Sequence, residues 1–373
     1  MYSMIEESRN THIINVLQQL AEGRNTLPYC SKEIYSILVD LELDTYALWG
    51  KNLDKSNKRI YHNIQEKSRL LRLNSTILAK HDQLQIPPLE TLWQVYLPIA
   101  IWIIEQQGEL GKKPLVLGLS GAQGSGKSTL SRLLEFILTT YFHQKVATLS
   151  LDDFYFSHAK RQQLAQRVHP LFVTRGVPGT HDTMLAIKIL QSLKSANADS
   201  ITQFPKFDKK LDDRLPDTEG IIFQGQPDII IFEGWCVGTL PMLEQQLTKP
   251  INQLESEEDK DGVWRHYINQ ALYYDYAQLF SLLDKLVFIK ISSFQTVYKQ
   301  RLEQEQNLIR LNQQEYLGNH TSEIRIMDKV AIKRFIAHFQ RITEHMLIEV
   351  PSYADMVLEI SDQREFLKIQ AKN

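Results

Sequence analysis

The chain has 373 residues, 43% hydrophobic and 23% charged, the composition of a soluble globular protein with room for about two domains. Forty-two basic against 44 acidic side chains leave a net charge of −2, so no global field exists to hold a nucleic-acid backbone or an anionic membrane, and any anion site must be local. Two cysteines, Cys30 and Cys236, exclude a disulfide framework and a cysteine-rich zinc site; residues 1–7 lack the basic and apolar regions of a secretion signal, and the apolar run 97–104 is far short of the ~20 residues of a membrane span. These features predict a cytoplasmic protein with no nucleic-acid or membrane partner.

In chain order, residues 1–85 are polar and poor in Gly and Pro. Apolar residues recur at helical spacing over 12–22 (Ile13, Ile14, Leu17, Leu20), 32–43 and 64–81. This predicts a helical N-terminal region closed by the break Ile86-Pro87-Pro88, and hence a division into 1–88 and 89–373. Residues 92–107 predict an apolar helix packed on the core that follows. From Lys113 onward, β-branched runs alternate with helical ones. The predicted strands are 114–120, 145–150, 228–232, 285–291 and 356–360; the predicted helices are 128–140, 183–193 and one starting at Phe294. Such alternation predicts an α/β fold, a mostly parallel sheet with helices on both faces. The acidic stretch 255–261 reads as a solvated loop without function.

One motif carries chemistry. Gly121-Ala-Gln-Gly124-Ser125-Gly126-Lys127-Ser128 fits G-x-x-x-x-G-K-[ST] between a predicted strand and a predicted helix. Its glycines let successive backbone N–H groups form an anion nest, and the helix that follows adds the positive end of its dipole. Gly121, Gly124, Ser125, Gly126, Lys127, Ser128 and Thr129 are therefore candidates for holding nucleotide phosphates. Lys127 would reach the β- and γ-phosphates, and the Ser128 hydroxyl stands where Mg²⁺ is ligated. The overlap of 119–123 with the LSGGQ pattern of transporter ATPases is coincidental, because it falls on the phosphate loop itself. No N-K-x-D guanine-reading motif is present, which argues against a GTPase.

The acceptor side follows. Asp152 and Asp153 come just after the second strand, where one carboxylate could take the proton of a substrate hydroxyl and the other help hold a metal or its water. Arg175 to Asp182 form a turn-rich loop in which Asp182 is placed to cap the helix at Thr183, while Arg175 and His181 lack an evident packing role. A charged loop contains Lys206, Asp208 and Arg214. Glu233 ends an apolar strand at the position of an acid that orients Mg²⁺ or its waters. Arg301 lies on the helix from Phe294, where a lid could bring it to a transferring phosphoryl group.

The phosphate loop, the D-D-F-Y run, R-G-V-P-G-T-H-D, F-P-K-F-D-K with D-D-R, and I-I-I-F-E-G-W together resemble the D-glycerate kinases of plants and cyanobacteria and their fungal relatives. Those enzymes sit among the P-loop small-molecule kinases, with phosphoribulokinase, uridine kinase and pantothenate kinase. The resemblance covers about 92–360 and implies a P-loop NTPase fold, ATP and Mg²⁺ as cofactors, and transfer of the γ-phosphoryl group to D-glycerate in photorespiration. It implies that Asp152 is the base or hydroxyl-orienting group. Asp153, Tyr155, Arg175, His181, Asp182, Lys206, Asp208 and Arg214 would line the acceptor site, and Arg301 would act from the lid. The spacing around Asp208–Arg214 and the acidic insertion before Trp264 depart from the plant pattern.

Two other readings fit the residues less well. Another small-molecule kinase, for uridine, pantothenate or a sugar phosphate, would need a base-stacking pocket in the first case and more cations in the last. A non-catalytic ATP-binding module would be expected to have lost one of Lys127, Asp152 or Glu233. The number of subunits, monomer or homodimer, stays open.

Overall fold

A computed structural model describes residues 2–24, 30–55, 57–78, 87–303 and 329–372. The chain forms two compact units, each discontinuous in sequence. One holds 1–113, 128–146 and 366–373; the other holds 114–127 and 147–365.

The first unit is mainly helical. Its helices α1 (Tyr2–Ala21), α2 (Lys32–Leu48) and α3 (Lys58–Leu78) bring together Leu17, Leu38, Leu41, Ile64 and Leu71, all fully buried. The Ser31 hydroxyl starts α2 by accepting the Ile34 N–H at 3.2 Å. A buried ion pair joins α2 to α3: Lys67 donates to Glu42 at 2.7 Å, and the Trp93 indole donates to the same carboxylate oxygen at 3.1 Å. The predicted apolar helix is present as a π-turn, Leu92–Tyr96, running into a helix, Leu97–Glu109. Residues 79–81 of the predicted third helix, and Ile86 of the predicted break, lie outside the described residues. Pro88 caps the turn Leu89–Thr91.

The second unit is built on a sheet of strands β1 (Leu115–Gly121), β2 (Val146–Ser150), β7 (Ile229–Gly234), β8 (Lys285–Lys290) and β9 (Met356–Ile360), in the order β9-β8-β1-β7-β2. β1 pairs in parallel with β7 and β8, and β8 with β9. The central strands are continuous apolar runs because both faces are covered; every residue of β1 is buried. The fold is thus the predicted α/β P-loop NTPase fold. Between β2 and β7 the chain adds two small antiparallel pairs, β3 (Ile201–Phe204) with β6 (Ile221–Gln224) and β4 (Phe207–Asp208) with β5 (Asp213–Arg214). With at most four residues each, these strands are too short to show a period. Among the described residues, no helix is long and apolar enough to cross a membrane.

One expectation fails in part. The acidic stretch 255–261 is not wholly a solvated loop, because Glu255 and Asp259 are buried while the residues between and after them are exposed. Residues Gln253–Glu258 are a helix in which Glu255 is completely buried against Arg341 of the helix Lys329–Tyr353, Arg341 Nε donating at 2.8 Å. Asp259 is 1% exposed and accepts from Arg265 at 2.9 Å. Local composition cannot register a cation 86 residues away.

Candidate active site

The loop after β1 carries the phosphate-binding motif. Gly124 takes φ +79, and a Cβ there would stand 2.9 Å from Cβ of Gln300, so the position admits only glycine. At Gly126, φ +93, nothing lies within 4 Å of where a Cβ would be, which leaves room for a ligand oxygen against the backbone. Ser125 is 4% exposed, and its hydroxyl has no hydrogen-bond partner among the described residues. Lys127 folds back onto the Ala122 carbonyl at 3.0 Å. Burial lowers its pKa, and the nearby carboxylates of Glu233 and Asp152 oppose that shift. Ser128 and Thr129 are exposed in the first turn of the helix Lys127–Tyr141. A nest with open backbone, an unpaired buried hydroxyl and a cation fits a polyanion.

Glu233 lies on β7, the strand next to β1, and is half-buried. Asp152 and Asp153 occupy the 3₁₀ turn Leu151–Phe154 after β2, where the Ser150 hydroxyl accepts the Asp152 N–H at 3.3 Å. Asp152 accepts from Lys209 at 2.6 Å and from the Tyr155 hydroxyl at 2.8 Å. Burial alone would raise its pKa; Lys209 and the two hydrogen bonds outweigh burial and hold the carboxyl below its usual range. Asp153 faces a different task. It accepts the Phe207 N–H at 3.2 Å, tying the charged loop to the strand end, and burial pushes its pKa up to about 6.

Tyr155 and His181 meet across an isolated antiparallel bridge, their rings stacked with centroids 4.5 Å apart. His181 is 2% exposed, and burial lowers its pKa to about 3, so the ring is neutral at pH 7. Its Nδ1 meets the Tyr276 hydroxyl. Gly176, φ +129, opens this loop because Phe339 fills the space of a side chain, and its carbonyl accepts the Trp235 indole at 2.8 Å. Arg175 pairs with the Asp212 carboxylate, its guanidinium 5.5 Å from the Phe207 ring centroid. Asp182 caps the helix Thr183–Lys194 as expected, accepting the Leu185 N–H at 3.2 Å, and it lies 3.6 Å from Arg214. Arg214 also donates to the Phe154 carbonyl at 3.2 Å. Asp208 shapes its own turn, accepting the N–H groups of Lys210 and Leu211 at 2.7 and 3.3 Å. Lys206 is exposed. The Arg301 guanidinium lies 5.5 Å from the Phe335 ring centroid.

Sequence reasoning missed four residues here. Lys209 is the cation on Asp152. Tyr276 holds His181. Gln300 and Arg364 hold the phosphate loop: Arg364 Nε donates to the Gly124 carbonyl at 3.0 Å, and the Gln300 amide, with its nitrogen toward the loop, reaches the carbonyls of Gly124 and Gln123 at 3.1 and 3.2 Å. Only Lys209 had a local signal, as a cation inside a loop already singled out. The other three are defined by contacts remote in sequence.

No family model matches the chain. Over 212 residues it is 32% identical to an uncharacterized kinase of Schizosaccharomyces pombe, which covers 55% of this chain and 75% of that protein. Over 345 residues it is 27% identical to the chloroplastic D-glycerate 3-kinase of Arabidopsis thaliana, covering 87% of this chain and 67% of that one. The solved D-glycerate 3-kinase of Cryptococcus neoformans superposes with a TM-score of 0.61 at 26% identity, covering 74% of this chain and 99% of that chain. With a phosphate loop on a parallel sheet and carboxylates beside it, the protein is a P-loop small-molecule kinase that uses ATP. It belongs to the family of these kinases, that of the D-glycerate 3-kinases.

The Arg364 contact gives a first expectation. Removing one charged donor from the phosphate loop forfeits roughly 1 kcal/mol. Arg364→Ala is therefore expected to raise KM for ATP about fivefold and leave KM for the acceptor unchanged. Steady-state kinetics in both substrates checks this; an unchanged KM for ATP would show that the contact does not shape the loop.

Proposed function

We propose that this kinase transfers the γ-phosphoryl group of ATP to D-glycerate, giving 3-phosphoglycerate and ADP. The observation that carries the proposal is the gathering of Lys127, Glu233, Asp152 and Lys209 around the phosphate loop, where each feels the charge of others in the set. In this reading Asp152, kept ionised by Lys209 and Tyr155, accepts the proton of the attacking hydroxyl. That oxygen bonds to the γ-phosphorus as the bond to the β-γ bridging oxygen breaks, and ADP leaves with the electron pair. Lys127 sits on the β- and γ-phosphates. Most of the rate comes from alignment and charge neutralisation.

A small hydroxy acid needs a cationic grip for its carboxylate. Arg175 can supply two parallel N–H donors, with Lys209 beside it and Arg214, braced by Asp182, completing the wall; Lys206 stands further out in the loop. His181 would hydrogen-bond the second hydroxyl, and Arg301 would reach the transferring group on lid closure. Mg²⁺ suits the all-oxygen donors on offer, the Glu233 carboxylate and the hydroxyl of Ser128. Among the described residues no cluster of three or more His, Cys, Asp or Glu could cage an ion, so ATP and water would provide most ligands. The ion, when bound, neutralises charge on the phosphate oxygens. We also take 1–88 as a helical extension to a kinase domain of 89–373, and the enzyme as a cytoplasmic one that returns photorespiratory glycerate to the carbon cycle.

Lys209 yields a second expectation. An ionised Asp152 is required, so activity falls as pH drops through its pKa. Lys209→Met removes the cation that depresses that pKa, and the acidic limb of the kcat/KM profile should move to higher pH. An unmoved limb would separate Lys209 from the base. The proposed product is tested by ¹H–³¹P correlation NMR of a completed reaction. Coupling of phosphorus to the C3 protons is expected, and coupling to the C2 proton would refute the 3-position.

A further inference from the structure

We propose that Tyr276 locks His181 in the tautomer that carries its proton on Nε2, and that this N–H donates a hydrogen bond to an oxygen of the acceptor substrate. The argument begins with the phenol. Tyr276 closes the π-turn Leu272–Tyr276 and is fully buried. Its oxygen accepts the Gly179 N–H at 3.1 Å and has the His181 backbone N–H beside it as a second donor; its side-chain neighbour is Nδ1 of His181. A phenol has one proton, which cannot point at an N–H, so it goes to Nδ1. Nδ1 is then an acceptor, and a neutral imidazole must carry its own proton on Nε2.

Nε2 is the informative atom. It is buried and has no hydrogen-bond partner among the described residues. A buried donor without an acceptor is costly, and native structures rarely leave one without a reason. The ring cannot rotate to relieve it. One face stacks on Tyr155, whose hydroxyl donates to Asp152, and the Tyr276 ring meets it edge-on with centroids 5.8 Å apart. The unsatisfied donor is thus held one side chain away from the carboxylate proposed as base. Resting on the kinase reading of this site, the inference assigns the missing partner to a hydroxyl or carboxylate oxygen of the acceptor. It also separates two roles. With the Nδ1 lone pair taken by Tyr276 and Nε2 protonated, His181 has no free lone pair to offer the substrate, so it binds while Asp152 serves as the base. Tyr276 is a positioning residue that acts through His181.

The tautomer can be read on the intact wild-type protein by ¹⁵N NMR of labelled histidine, with the His181 signals identified by their loss in His181→Gln. A protonated Nε2 and an unprotonated Nδ1 are expected near neutral pH; the reverse tautomer, or a doubly protonated ring, overturns the inference. In Tyr276→Phe the tautomer should become mixed, and KM for D-glycerate should rise roughly tenfold with KM for ATP unchanged. An unchanged tautomer with an unchanged acceptor KM also overturns it. If Tyr276→Phe does not fold, His181→Gln, which retains an N–H donor, should keep a lower acceptor KM than His181→Leu; equal losses count against the inference. A wild-type enzyme that ignores D-glycerate would sink the functional reading alone, because the tautomer measurement needs no substrate.

Discussion

Asp152→Asn is expected to reduce kcat by about three orders of magnitude, the typical contribution of a positioned general base, while the Kd for ATP stays within about twofold. The asymmetry follows from where the carboxylate sits. Asp152 follows β2 and is bonded to Lys209 and Tyr155, whereas the phosphate nest is built from the backbone between Gly121 and Lys127. Asparagine keeps the shape but has one acceptor oxygen where Asp152 uses two, so it keeps the bond from Tyr155 or from Lys209 but not both; the unchanged ATP affinity is what separates a missing base from a collapsed loop. Lys127→Ala should behave differently and weaken both ATP binding and transfer, because its ammonium serves ground and transition states. Single-turnover kinetics with a separate ATP titration distinguishes the two variants. Near-normal turnover in Asp152→Asn would remove this residue as the base.

The largest effect on stability should come from far outside the site. Glu255 Oε1 accepts Arg341 Nε at 2.8 Å, and Oε2 accepts the Ile251 N–H at 3.0 Å together with a second guanidinium N–H. The glutamate is fully buried and the arginine side chain 8% exposed. Glu255→Gln leaves a buried guanidinium without its counter-charge, a change that costs about 3–5 kcal/mol in comparable buried pairs. The upper end is tempered by the carbonyls of Gln246 and Lys249, which still accept from Arg341 at 2.6 and 2.7 Å. A loss near 3 kcal/mol, read as a lower urea midpoint, is therefore expected, and replacing both partners by apolar residues should recover part of it. A loss under about 1 kcal/mol would mean that the pair behaves like an exposed one.

These two residues also mark what the sequence could and could not tell. The place of Asp152 was legible because its signal is local: a carboxylate at a strand end, in a chain whose glycine-rich loop has a spacing that chance seldom produces. Asp182 was legible as a cap for the same reason, and the buried strands declared themselves as unbroken apolar runs. Glu255 was misread as solvated because the partner that buries it is 86 residues away, and nothing in an acidic run reveals it. Arg364 reaches Gly124 across 240 residues, and Tyr276 reaches His181 across 95. In the charged loop, the motif drew attention to Lys206 and Asp208. Which lysine meets Asp152 depends on the turn that Asp208 makes with the N–H groups of Lys210 and Leu211, and that turn presents Lys209.

Substrate identity is decided by an acceptor panel. Purified full-length protein with Mg²⁺ and ATP is offered D-glycerate, L-glycerate, pantothenate, uridine and a sugar phosphate in turn, and ADP release is followed by a coupled assay. Turnover with D-glycerate well above every other acceptor is the predicted result. Background rates with D-glycerate alongside saturable turnover of pantothenate or uridine would contradict the assignment, while leaving the kinase fold and its phosphate loop intact.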